Sequence, residues 1–343
     1  MSPTRRHWTA EVEHGAGPLV RLMIWITLRL GWPVGQALLY PITAYFFLRL
    51  PASRFQSRRY LSRVLGRKAT AADVWRHFFS YASVVLDRIS FLAGRTERYR
   101  TELVGLERLE AVIAEGRGCL LLGAHLGSFE ALRAFGRDSP VPVKALMYRG
   151  TTGALSTLFE ALDPAIRREV IEIGAPDAML RVKESLGRGE IVGILADRAP
   201  HGQRFVMADF LGDEAAFPTG PLVLAAALDA PVMLFFALRR GNRDYQIVLE
   251  DFAERIALER SRREDGLRAW IARFAQRLET QCRAYPFNWF NFYDFWEPRP
   301  NADAAAKPGS ARHPSRVGVP RGGGRAVAGA GSQFASELGS RDR

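Results

Sequence analysis

The run Cys119-Leu-Leu-Leu-Gly123 constrains the fold of this chain more than any other stretch. An apolar run this short, bounded by glycine, fits an interior strand of an α/β sheet that is buried on both faces. His125-Leu-Gly-Ser-Phe-Glu130 follows at once. Open α/β sheets place their ligands beyond the carboxyl ends of their strands, so this polar pair stands where chemistry is done. Glu130 lies in the first turn of a helical pattern carried by Phe129, Leu132 and Phe135. A carboxylate there can hold a loop histidine in one tautomer and stabilise its protonated form, leaving the ring to take a proton from a hydroxyl. The plain alternative is a solvated histidine and a glutamate that complements a helix dipole.

The rest of the chain extends the same pattern. Strands are expected over 142–147, 190–196 and 231–238, with an edge strand over 245–249. Helices are expected over 73–92, 105–115, 178–186 and 219–228, and the stripe Leu267, Trp270, Ile271, Phe274 and Leu278 marks another. His77 sits among aromatics on the first of these and reads as structural. Alternating strands and helices predict one α/β domain whose central sheet is mixed, largely parallel and flanked by helices. The organisation expected is a basic and polar flank over 1–18, a membrane-associated helical segment over 19–50, the main domain over 51–300 and a tail over 301–343. In that tail Gly, Ala, Ser, Pro and Arg dominate, which predicts disorder. An apolar fraction of 48% excludes disorder for most of the chain.

Charge is concentrated at the two ends. The net charge is +12, and residues 1–70 carry eleven Arg and Lys against two Glu. Residues 301–343 carry seven against three. A basic flank beside apolar sequence favours an anionic membrane surface over nucleic acid. Between Arg29 and Arg49 lie 19 residues without formal charge, near the length of a bilayer-crossing helix. Trp32 and Tyr45 stand near the ends of this stretch, where interfacial aromatics belong. Gly31, Pro33, Gly35, Gln36 and Pro41 weaken or kink a helix, so two readings stand: a single span, or a kinked segment lying in the interface. For a span, the arginines crowding its C-terminal side put the main domain in the cytoplasm. The two cysteines, Cys119 and Cys282, fit neither a disulfide framework nor a metal site, and imply a reducing compartment.

Two further polar clusters follow strands. Arg149 comes after 142–147, and Asp197-Arg198 after 190–196. If these strands are parallel neighbours of 119–123, all three clusters meet at one sheet edge. A base, a carboxylate partner and fixed cations suit transfer of an acyl group to a hydroxyl. Arg149 would hold a phosphate or other anion, or simply pair with a surface acid. Asp197 would accept from acceptor hydroxyls, hold Arg149, or form the turn before Pro200. No Gly-x-Ser-x-Gly elbow and no evident acyl-enzyme cysteine is present, which favours direct attack of the acceptor on a thioester. Residues 287–296 hold seven aromatics in ten positions, either closing the core or facing a membrane or acyl chain.

Taken in order, these segments resemble the lysophospholipid acyltransferase superfamily in its lipid A acyltransferase branch. Gly123-Ala-His-Leu-Gly-Ser-Phe-Glu130 is similar to that branch's first motif, with Glu where the wider superfamily usually has Asp. Tyr148-Arg149 looks like the second block, and Leu195-Ala-Asp-Arg-Ala-Pro-His-Gly202 falls at the third. Phe217-Pro-Thr-Gly220 and Ala230-Pro-Val-Met233 resemble the closing block, and the likeness covers residues 8–298. The resemblance implies a membrane-bound transferase of the bacterial inner membrane, facing the cytoplasm. It would move a fatty acyl chain from acyl carrier protein or coenzyme A to a lipid hydroxyl, without a metal or redox cofactor. It assigns His125 as general base, Glu130 as the group orienting it, Arg149 to an anionic group and Asp197 to the acceptor site. One departure stands out: the second acid that lipid A enzymes often carry two residues after Asp197 is Ala199 here, and Arg198 puts a cation into the turn. This leaves the acceptor open between a lipid A precursor and another lipid-linked hydroxyl, of a polyene or specialised glycolipid. A non-catalytic lipid-binding adaptor and a hydrolase are the alternatives of different class.

Overall fold

A computed structural model describes residues 17–136, 141–147, 162–163, 166–198 and 203–297. The N-terminal part is helical: α1 (Gly17–Arg29), α2 (Trp32–Arg49), α3 (Pro51–Val64) and α4 (Ala71–Leu92). Then follow β1 (Arg100–Val104), α5 (Leu106–Ala114), β2 (Cys119–Gly123), α6 (Phe129–Phe135) and β3 (Val143–Met147). Next come α7 (Ile166–Glu169), β4 (Val170–Glu172), α8 (Ala178–Gly187) and β5 (Ile191–Leu195). The chain continues through β6 (Phe205–Phe210), β7 (Asp213–Pro218), α9 (Gly220–Leu228), β8 (Val232–Gly241), β9 (Asp244–Ala253) and α10 (Arg263–Ala284).

Seven strands form one sheet in the order β1-β9-β8-β2-β5-β3-β4. All neighbours are parallel except β8 and β9, which pair as an antiparallel hairpin. The expected mixed, largely parallel sheet is therefore present. Its central strand is the apolar run that opens the sequence reading. Leu120 and Leu122 point into one core cluster, Cys119 and Leu121 into the other. That is the alternation a pleated strand imposes, and burial on both faces explains why no polar residue interrupts it.

Several elements differ from expectation. The strand over 245–249 is longer and interior, because β9 pairs with β1 as well as β8. The true edge is β1, whose charged and largely exposed residues carry no apolar pattern. The β6–β7 hairpin stands as a separate two-stranded sheet, and its sequence gives no clean alternation.

The expected segment over 19–50 breaks into two helices at Gly31 (φ +91°), the uncharged stretch falling in the second, which has Pro41 inside it. Among the described residues, no helix is long and apolar enough to cross a membrane. α2 buries Gln36 and Thr43 beside Trp32, Gly35 and Leu39, and Gln36 Nε2 donates to Ser83 Oγ of α4 at 3.3 Å. Leu22, Trp25, Leu30, Val34, Tyr40, Tyr45 and Leu48 face outward.

α4 begins with a capping box, in which Thr70 Oγ1 accepts from the Asp73 N–H while Asp73 accepts from the Thr70 N–H. Deeper in this helix, the buried carboxylate of Asp87 accepts from Trp32 Nε1 (2.7 Å), Tyr99 OH (3.0 Å), Tyr245 OH (2.9 Å) and Arg239 Nε (3.3 Å). Burial pushes its pKa up, and Arg239 and the three neutral donors pull against that. The network joins α2, α4, β8 and β9 at one end of the sheet. Asp87→Ala leaves the largely buried Arg239 cation without its carboxylate, so a loss of about 3–5 kcal/mol is expected in denaturant unfolding. Gly127, in the loop after β2, has φ +81°, and a Cβ there would lie 1.8 Å from the carbonyl oxygen of Ala237. Gly127→Ala must displace that backbone, and the expected result is a large fall in melting temperature compared with an exposed control such as Gly187→Ala.

Candidate active site

Sheet register builds the site. Gly123 of β2 pairs with Leu195 of its parallel neighbour β5. His125 lies two residues beyond the first and Asp197 two beyond the second, so the loops leave the sheet side by side. Gly123 admits no side chain, because a Cβ would meet the Phe235 ring at 2.4 Å. The left-handed turn at Gly127 lets the Ser128 N–H donate to Ala237 O (2.9 Å), and Ser128 Oγ then caps α6 by accepting from the Ala131 N–H.

The hydrogen bond on the histidine ring comes from Asp197. His125 Nδ1 and Asp197 Oδ1 are 2.8 Å apart, and the backbone N–H of His125 donates to Oδ2 at 3.1 Å. The same Oδ2 accepts from Trp289 Nε1 (3.0 Å) and Asn291 Nδ2 (3.3 Å). Asp197 is fully buried. Burial works to raise its pKa, but the His125 charge and hydrogen bond, helped by Arg198, hold it down to about 2. An ionised carboxylate only accepts, so Nδ1 carries the proton and Nε2 the lone pair. Among the described residues Nε2 has no hydrogen-bond partner, and 31% of the side-chain surface is open.

The surroundings tune this ring. Enclosure lowers the His125 pKa and Arg198 lowers it further; the Asp197 and Glu130 charges raise it, and the net direction is down. A neutral imidazole near neutral pH is thereby favoured, as a base requires.

The sequence reading puts Glu130 in the orienting role, and the structure places it otherwise. Glu130 projects from the first turn of α6 onto Arg88 of α4, with Oε1 2.6 Å from Nη2. It reaches His125 through its charge. Asp197 has no oxygen turned to an acceptor: both are taken up by His125, Trp289 and Asn291. Arg198 donates to Asn291 Oδ1 (2.8 Å) and to the Phe290 carbonyl (2.9 Å), and stacks over Tyr293. Arg149 and Ala199 lie outside the described residues. Among those described, no group of three or more His, Cys, Asp or Glu is placed to hold a metal ion.

The aromatic run closes the core and forms the back wall of the site. Trp289, Phe290, Phe292 and Phe295 are buried. Its backbone straps the His125 loop: Phe290 N–H donates to His125 O (2.8 Å) and Gly127 N–H to Asn288 O (2.9 Å). Asn288 bonds both ways to the Arg239 backbone, and His77 holds the strap from behind through Nε2 to Trp289 O at 2.9 Å. Ser57 Oγ meets the other His77 nitrogen at 2.8 Å, and burial lowers this ring's pKa to about 4. The structural reading of His77 holds. Trp289, Asn288 and Asn291 are the functional neighbours that sequence reasoning missed. The available signal was the two asparagines inside an apolar run, since buried amides must find partners.

A family comparison bears on this arrangement. No curated protein matches the chain. Residues 15–297 match the family described as bacterial lipid A biosynthesis acyltransferase, and that match takes in the sheet, the His125 loop, Asp197 and the strap. This chain belongs to the bacterial lipid A biosynthesis acyltransferase family.

Proposed function

We propose that this acyltransferase moves a fatty acyl chain from an acyl thioester directly to a hydroxyl of a lipid A type or related acceptor, with His125 as general base. The observation that carries this reading is the Nδ1 contact to ionised Asp197, which leaves Nε2 as the acceptor position on a partly open ring. Nε2 takes the hydroxyl proton as the oxygen attacks the thioester carbonyl. The carbon–sulfur bond then breaks, and the imidazolium returns the proton to the departing thiolate. Asp197 stays ionised throughout and stabilises the imidazolium. Glu130, held by Arg88, adds negative charge from α6. The thiol belongs to acyl carrier protein or coenzyme A, and Arg149 is assigned to an anionic group of a substrate.

The chain works at a membrane surface in this proposal. α1 and α2 leave the large apolar side chains Leu22, Trp25, Val34, Tyr40, Tyr45 and Leu48 exposed, more than a helix covering a water-soluble domain carries on its outer side. Helices of this kind lie in the interface rather than across it. Trp32 connects them to the sheet through Asp87.

Lipid mass spectrometry of cells expressing the wild-type chain or His125→Ala at matched levels tests the reaction. A lipid heavier by one acyl group is expected with wild type alone, and transfer by the variant should fall about 10²–10⁴-fold, the contribution of a positioned base. Equal acylation by a folded His125→Ala protein would remove the proposal. The pH profile of kcat/KM tests the pair. Activity should fall with acid through a midpoint below the ordinary imidazole value of about 6.5. Asp197 raises the His125 pKa, so Asp197→Asn should move that midpoint to lower pH and depress the plateau. A midpoint moving upward would contradict the assignment.

A further inference from the structure

The sheet edge that carries His125 also holds a concavity at the turn joining β8 and β9. It encloses about 410 Å³ and is lined by Arg98, Arg100, Gly241, Asn242, Arg243 and Asp244. It is reached along β8, from Ala237, which bridges Gly127, through Arg239 to the hairpin at Gly241.

Charge in this concavity is unbalanced. The carboxylate of Asp244 is taken by Arg240 at 2.9 Å, and Arg240 also pairs with Glu102. Among the described residues, the one carboxylate within ion-pair distance of Arg98 is its exposed sequence neighbour Glu97, at 3.5 Å. Among the described residues, Arg100 and Arg243 have no carboxylate within ion-pair distance. Three guanidinium groups around one cavity repel one another unless an anion sits between them, and planar forks match phosphate oxygens best.

Arg243 is also held in an unusual way. Its φ is +55°, in the left-handed region that side chains seldom occupy. Its carbonyl accepts from the Arg100 N–H at 2.8 Å, and its guanidinium lies 5.0 Å from the centre of the Trp32 ring. Trp32 is itself buried and fixed by Asp87. The left-handed residue belongs to the tight turn joining β8 and β9 and fixes where the guanidinium emerges.

The neighbourhood decides which anion. Trp32 opens α2, flanked by exposed Leu30 and Val34, and Arg95 of the adjoining turn donates to Leu28 O of α1 at 2.9 Å. The cavity thus abuts the junction of the two outward-apolar helices. We infer that Arg98, Arg100 and Arg243 form a binding site for the phosphate of a lipid headgroup, whose acyl chains lie against the apolar face of α1 and α2. The inference rests on the membrane-surface reading above and is independent of the chemistry at His125.

The test titrates the detergent-solubilised full chain with dihexanoyl phosphatidylglycerol below its micellar concentration, with dihexanoyl phosphatidylcholine, and with inorganic phosphate. Calorimetry reads affinity and stoichiometry. The expected result is one site for phosphatidylglycerol, weaker binding of the other two, and a loss of about tenfold or more in Arg100→Gln/Arg243→Gln. Arg100→Lys/Arg243→Lys keeps the charge and loses the fork, so a several-fold loss separates a built site from a diffuse field. Arg243→Gly relieves the left-handed strain, so it should melt no lower than wild type while binding as poorly as the Gln pair. His125→Ala should bind like wild type, which keeps a failure of the proposed reaction distinct. Wild-type affinity in the Gln pair would overturn the inference, as would equal affinity for phosphatidylcholine or for inorganic phosphate. Failure of the wild-type chain to float with phosphatidylglycerol vesicles would remove the membrane reading beneath it.

Discussion

The site depends on one buried charge. Asp197 lies wholly inside the protein, and a carboxylate there costs several kcal/mol in lost hydration unless every lone pair is matched. Four donors match it, from the His125 backbone, the His125 ring, Trp289 and Asn291. They arrive from the loop after β2 and from the strap after α10, segments more than 150 residues apart in sequence. The carboxylate is satisfied only when both are docked against the end of β5. Orientation of the base is therefore a consequence of completing the fold. His77 and Ser57 serve the same end from behind, since they fix the strap that carries Trp289.

A second buried carboxylate does the same for the N-terminal helices. Asp87 gathers donors from α2, β8, β9 and the turn before β1. Arg239 links the two centres, because its side chain meets Asp87 while its backbone pairs with Asn288 of the strap. A continuous set of hydrogen bonds thus runs from Trp32 at the start of α2 to the loop holding His125. The N-terminal helices are built into the sheet edge that carries His125 rather than tethered to it by a linker.

Local pattern was enough wherever burial dictates composition. Residues 119–123 and 191–195 had to be apolar on both faces, so both were legible as interior strands, and the helices over 71–92 and 263–284 showed their stripes. β1 was not legible, because an exposed edge strand needs no apolar face. β9 was legible as a strand but not as an interior one. Its apolar residues alternate with polar ones such as Gln246 and Glu250, a pattern that edge and half-buried strands share.

The order of the polar motifs along the chain, and their positions just past buried strands, follow from the sequence alone. That order carried the family resemblance and named His125 as the base. What it left undecided was which carboxylate meets the ring. Glu130 is near in sequence, but the helix it opens begins after a left-handed turn at Gly127 that directs it to Arg88. Asp197 is 72 residues away, yet parallel pairing of Gly123 with Leu195 sets it beside His125. Strand register is a long-range property, fixed by how two buried faces pack together. Spacing within one segment holds no record of it, and so only the tertiary structure chose the partner.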